Sequence, residues 1–109
     1  VIVSDRARQM LAGHVRFLAQ KSPSAARKVK NDLMDAIRSL QQMPERFPFL
    51  EAEFIPPNKY HKMFVEKWYL ILYQIKDQTV YVDYMLIAAG LWMAGAVDLM
   101  VVRLKIESY

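Results

Sequence analysis

The chain contains no cysteine and only three glycines in 109 residues. The first absence removes disulfides, thiolate metal sites and a cysteine nucleophile, and it suits a reducing compartment, so a cytoplasmic location is expected. The glycines stand apart at Gly13, Gly90 and Gly95, which leaves no glycine loop to cradle a phosphate and no nucleophile elbow. Histidine occurs twice, as His14 and His61, and no His, Asp and Glu cluster has ligand spacing, so neither a metal nor another cofactor is expected. No long apolar segment opens the chain: Val1-Ile2-Val3 passes at once to Ser4, Asp5 and Arg6, and no signal peptide is read there. Excess of one charge is modest. Fifteen Lys and Arg oppose eleven Asp and Glu, and the whole surplus of four lies before residue 85. Such a surplus permits nucleic acid or an acidic protein as partner.

What is present reads as one domain of α+β class, large enough to bury its own core. Val1–Val3 suffices for a brief strand. Ser4 is placed to cap a helix, with Asp5 at its positive end, and Ala7, Met10, Leu11, Val15 and Leu18 recur at helical spacing. Ser22 and Pro23 open a second helix, Pro23 at the first position where its missing N–H costs nothing. Ala26, Val29, Leu33, Ile37 and Leu40 form its apolar stripe, and Pro44 is expected to stop it. So short a connection folds the two helices into an antiparallel hairpin. Met43–Asn58 holds four of the five prolines together with Phe47, Phe49, Leu50, Phe54 and Ile55, and reads as a loop pinned across the edge of the core.

From Lys59 to Tyr84 the period changes to two. Tyr60, Lys62 and Phe64 alternate with His61, Met63 and Val65; Tyr69, Ile71, Tyr73 and Ile75 with Leu70, Leu72 and Gln74; Val80, Val82 and Tyr84 with Tyr81 and Asp83. The polar breaks at Glu66-Lys67 and Asp77-Gln78 make this a three-stranded antiparallel meander. Leu33, Ile37 and Leu40 are expected to face either Ile71 and Tyr73 or Leu70 and Leu72. Residues 85–109 differ in style from 1–84. Between Met85 and Val102 only Gly90, Gly95 and Asp98 fall outside the apolar set. A buried helix, a reading-frame change near Tyr84 or a membrane segment would each account for this tail, and the central Asp98 argues against the last.

The residues Ser22-Pro23-Ser24-Ala25-Ala26, Leu40 to Pro44, Tyr60-His61-Lys62, Trp68 to Ile75 and Val80-Tyr81-Val82, in this order and spacing, resemble the RelE/ParE superfamily of toxins from bacterial type II toxin–antitoxin modules. The helix opening looks closer to the ParE branch. The resemblance implies a small twisted antiparallel sheet with the helical hairpin on one side, and a cognate antitoxin as partner. It also implies growth inhibition, plasmid stabilisation, and a target that is DNA gyrase in ParE-like members or mRNA on the ribosome in RelE-like ones.

Ribosome-dependent RNA cleavage needs groups that help deprotonate the 2′-hydroxyl, stabilise the phosphorane-like transition state and protonate the leaving oxygen. In the nucleases the resemblance implies a Tyr-Arg pair on the central strand, where this chain has Tyr69-Leu70. It also implies a basic C-terminal element, whose place is taken by Met85 to Gly90. An inactive or gyrase-directed toxin that binds its antitoxin is therefore the first expectation. A ribosome-dependent endonuclease using His61 and Lys62 is the alternative, and a membrane-associated small protein a further one. His61 and Lys62 are the catalytic candidates, His61 because imidazole exchanges protons near neutrality. Lys59, Lys62, Lys67, Arg27 and Lys30 are candidates for contact with nucleic acid or antitoxin. The plainer accounts are a structural His61, solvated lysines, and tyrosines 60, 69, 73, 81 and 84 serving as cross-strand packing instead of base-stacking platforms. His14 is expected to make a helix–sheet contact.

Overall fold

In the computed structural model residues 1–51, 55–66 and 68–87 are described. The order is β1 (Ile2–Val3), α1 (Asp5–Ala19), α2 (Pro23–Ser39), β2 (His61–Val65), β3 (Tyr69–Lys76) and β4 (Thr79–Ile87). Ser4 caps α1, its Oγ accepting the Ala7 N–H at 3.0 Å. Ser22 does the same for α2 through Ala25 N–H at 3.2 Å, with Pro23 in the first turn. Only Gln20–Ser22 separate the helices, which pack as the expected hairpin. α2 ends earlier than Pro44: Leu40 is its C-cap, and Pro44 begins a short 3-10 turn, Pro44–Arg46.

The sheet order is β1-β4-β3-β2. β2, β3 and β4 form the antiparallel meander. β1, however, runs parallel to β4, with Ile2 opposite Tyr81 and Val3 opposite Val82. The sheet is mixed, which corrects the purely antiparallel expectation. A parallel neighbour requires a long crossover, and the helical hairpin followed by two strands supplies it.

A second correction concerns β4. Tyr73 pairs with Val82 but Leu72 pairs with Tyr84, so Asp83 is an extra residue, a β-bulge. Beyond it the faces exchange, and Tyr84 no longer shares a side with Val82. The strand also continues past Tyr84 to Ile87, with Met85 and Leu86 buried.

Two apolar layers result. On one face Leu33, Ile37 and Leu40 of α2 and Ala7 of α1 pack on Met63, Val65, Ile71, Tyr73, Val80, Val82 and Met85. Of the two facing sets considered, it is Ile71 and Tyr73 that meet α2. The other face is also covered: Leu50 and Ile55 from the proline-rich segment, with Tyr60 just after it, close over Leu70, Leu72, Tyr84 and Leu86. His14 makes the expected strap, its Nε2–H donating to the Met85 carbonyl at 2.8 Å. The accounts of the tail concern residues from Ala88 onward, and these, with Phe54 and Lys67, lie outside the described residues. Among the described residues no helix is long and apolar enough to cross a membrane.

Candidate functional site

β2 carries both catalytic candidates, and its pleat separates them. His61 turns toward the helix-side layer and is buried, 6% exposed. Its Nδ1–H donates to the Phe47 carbonyl at 2.7 Å. The ring stacks on Tyr73 at 5.1 Å and lies 4.1 Å from Phe49. The preceding segment explains this placement. Phe49 bridges His61 as an isolated antiparallel pair, Leu50 N–H donates to Tyr60 O at 2.7 Å, and Lys62 N–H donates to Pro48 O at 2.9 Å. The edge of β2 is thus partly closed by Pro48–Leu50, and His61 is enclosed with it.

Lys62, the next residue, stands half-buried on the opposite face, paired across the strands with Leu72. Successive side chains on a strand point to opposite sides, so His61 and Lys62 are not brought into one site. Lys59 is exposed, with Nζ 5.5 Å over the Tyr60 ring. Arg27 and Lys30 are exposed on α2. Between them in sequence, Lys28 holds Asp32 at 2.7 Å and Glu66 at 2.6 Å, tying this half of α2 to the turn after β2. The hydrogen bonds it donates to those two carboxylates raise the Lys28 ammonium above the ordinary lysine range. Arg27 and Lys30 therefore lie beside the far end of β2 from Lys59 and Lys62.

Leu70, where the resemblance implies an arginine in the nucleases, is an apolar core residue. It is 2% exposed, in the layer closed by Leu50, Ile55 and Tyr60. The tyrosines follow the packing account. Tyr60, Tyr69, Tyr73 and Tyr84 are buried and Tyr81 is half-buried. The Tyr73 hydroxyl donates to Pro44 O at 2.5 Å, and burial pushes its phenol up to about 12, with Arg46 opposing in part. Burial likewise raises Tyr69, with the Glu66 carboxylate adding to the effect.

A polar cluster gathers around Tyr60, Tyr84 and Asp83. Tyr60 meets Tyr84 edge-to-face at 5.9 Å, and the Arg6 guanidinium lies 4.7 Å over the Tyr84 ring. Gln74 Nε2 donates to the Asp83 carboxylate at 2.7 Å. Burial first, and the nearby Asp83 carboxylate second, raise the Tyr60 phenol well above its ordinary value. The bulge at Asp83 creates this grouping, and simple alternation carries no sign of it. Among the described residues no group of three or more His, Cys, Asp or Glu could hold a metal ion.

The family model described as ParE toxin of the type II toxin–antitoxin system, parDE, matches residues 1–85. The chain belongs to the ParE toxin family. The family match takes in both helices and all of the sheet except the last two residues of β4. A solved chain titled "Chromosomal ParDE TA system from P. aeruginosa" superposes with a TM-score of 0.64 at 16% identity, covering 76% of this chain and 88% of that one. That likeness concerns the fold. A chain from the RelB-RelE antitoxin–toxin complex of Methanococcus jannaschii gives a TM-score of 0.45 at 14% identity, covering 85% of this chain and 96% of that one. No curated protein matches the chain.

Proposed function

We propose that this ParE-family chain acts in the cytoplasm as a toxin that binds a cognate antitoxin, takes DNA gyrase as its target, and does not cut mRNA on the ribosome. The observation that carries the last point is the burial of Leu70 beneath Leu50, Ile55 and Tyr60. A site for a phosphorane-like transition state needs donors aimed at the developing charge. Here the corresponding strand position is apolar and covered. His61, the one imidazole on the sheet, directs Nδ1–H into the Phe47 carbonyl and its ring against Tyr73 and Phe49.

The partner surface in this reading is basic. Arg27 and Lys30 are exposed on α2, where acidic residues of a disordered antitoxin tail would meet them as it orders on binding. Lys59 and Lys62, just before and within the start of β2, are further contacts. The structural neighbour from the chromosomal ParDE system of P. aeruginosa supports an antitoxin as the partner class.

The test uses purified full-length chain in two assays. In a reconstituted translation system with a defined mRNA, no codon-specific cleavage is expected from the chain or from His61→Ala. In a gyrase supercoiling assay, inhibition is expected, relieved by the product of the adjacent antitoxin gene. Robust mRNA cleavage abolished by His61→Ala would instead establish the endonuclease. Leu70→Arg does not serve as a gain-of-function control, because it would place an unpaired charge under the loop that covers Leu70.

A further inference from the structure

β4 ends at Ile87 beside an open apolar groove of about 430 Å³ between α1 and the β2–β3 turn. Its walls include Phe17, Leu18 and Val29 from the helices, Trp68 from the turn and Ile87 from β4, together with the polar His14 and Glu66. Three of these large side chains face solvent: Phe17 is 58% exposed, Trp68 59% and Ile87 46%. Isolated exposed apolar residues are ordinary, but several around one concavity mark a surface that something covers.

We propose that the occupant is the chain's own apolar stretch, Ala88–Val102, which covers the groove within the same molecule. Three observations support this occupant over others. Ile87 is itself part of the wall, and Ala88 follows it directly in the chain. The stretch carries a single charged residue, Asp98, in fifteen positions, and so gains most from leaving water. Being tethered at the wall, it competes at an effective concentration in the millimolar range typical of short connections, about what a free partner would have to exceed. A second hollow, where Leu40, Ile75 and Val80 are joined by Gln41, Glu45 and Gln78, lies at the opposite end of β4, roughly 25 Å away at about 3.3 Å per residue. The inference is independent of the antitoxin reading, since it concerns one chain alone.

The chain has two tryptophans, Trp68 and Trp92, so full-length Trp92→Phe leaves Trp68 as the sole indole reporter. In dilute protein its emission is expected to be blue-shifted and its acrylamide quenching severalfold weaker than that of an exposed indole. Adding Phe17→Asp on the exposed groove wall should restore the exposed emission while leaving far-ultraviolet circular dichroism unchanged. Independently, a photo-crosslinking aromatic residue at position 17, in a mixture of isotopically light and heavy chains, should join to residues 88–102 within one chain. Free-indole quenching in the single-tryptophan chain would overturn the proposal, as would shielding that persists with Phe17→Asp. Shielding that rises with protein concentration, or light-to-heavy crosslinks, would overturn it in favour of a second copy as occupant.

Discussion

At the scale of single residues, Tyr73 shows how a group that resembles chemistry can be structure. Its ring is fully buried, stacked on His61, and its hydroxyl donates to Pro44 O. The folded phenol is raised from 10.0 to about 12, so between these values the folded state binds more protons than the unfolded one. Stability therefore falls as pH rises, being complete below about 10 and lost progressively toward about 12. Denaturant unfolding from pH 9 upward should show this slope, and Tyr73→Phe should flatten part of it. The same variant should cost about 0.5–1.5 kcal/mol at neutral pH, because the hydrogen bond to Pro44 is lost. Leu33 is a simpler case. It is fully buried at the centre of the α2–sheet layer, and Leu33→Ala should cost about 2–5 kcal/mol by loss of transfer energy and a residual cavity. A loss under about half a kcal/mol in urea unfolding would show that α2 does not depend on this contact.

Element by element, the features that depend on local chemistry were legible and those that depend on register were not. Ser4 and Ser22 announce their helices because a capping hydroxyl acts within three residues, and both make the bond expected of them. The stripe Leu33, Ile37, Leu40 identifies the buried side of α2 for the same local reason. Asp83 could not be read: one extra residue in β4 leaves every side chain chemically unchanged yet exchanges the faces beyond it, moving Tyr84 from the Val82 side to the Leu72 side. Nor could the parallel pairing of β1, which depends on where a strand at the other end of the chain arrives. His61 was ambiguous because its neighbour Phe49 reaches it from twelve residues earlier, across a loop with no periodicity. The β3–β4 turn holds a further consequence. Asp77 and Gln78 both have positive φ, 50° and 68°, the backbone of a type I′ hairpin, which favours glycine at its second position. Gln78→Gly should relieve left-handed strain and stabilise the protein by about 0.5–1 kcal/mol, read as a raised denaturation midpoint with an unchanged m-value.

For the molecule as a whole, charge lies beside apolar surface: Glu66, which holds Lys28, also lines the groove with Phe17 and Trp68. Arg27 and Lys30 face solvent on α2, while the neighbouring Lys28 is held by Asp32 and Glu66. If an acidic antitoxin tail approaches this helix, Arg27 and Lys30 contribute mainly to encounter, because rim charges act on association rate and on its salt dependence. Arg27→Glu with Lys30→Glu should then slow association and weaken the complex on the order of tenfold at low salt, two exposed pairs being each worth about 0.2–1 kcal/mol before the added repulsion. The deficit should shrink as salt is raised toward 1 M, where the screening length falls to about 3 Å. Neither substitution touches the buried layers, so thermal unfolding of the free chain should move little. Surface plasmon resonance against the immobilised product of the adjacent gene reads both rates. A variant with an unchanged association rate at low salt would show that the antitoxin does not approach over α2. Lys59 and Lys62, before and within β2, would then be the remaining candidate contacts among the described residues.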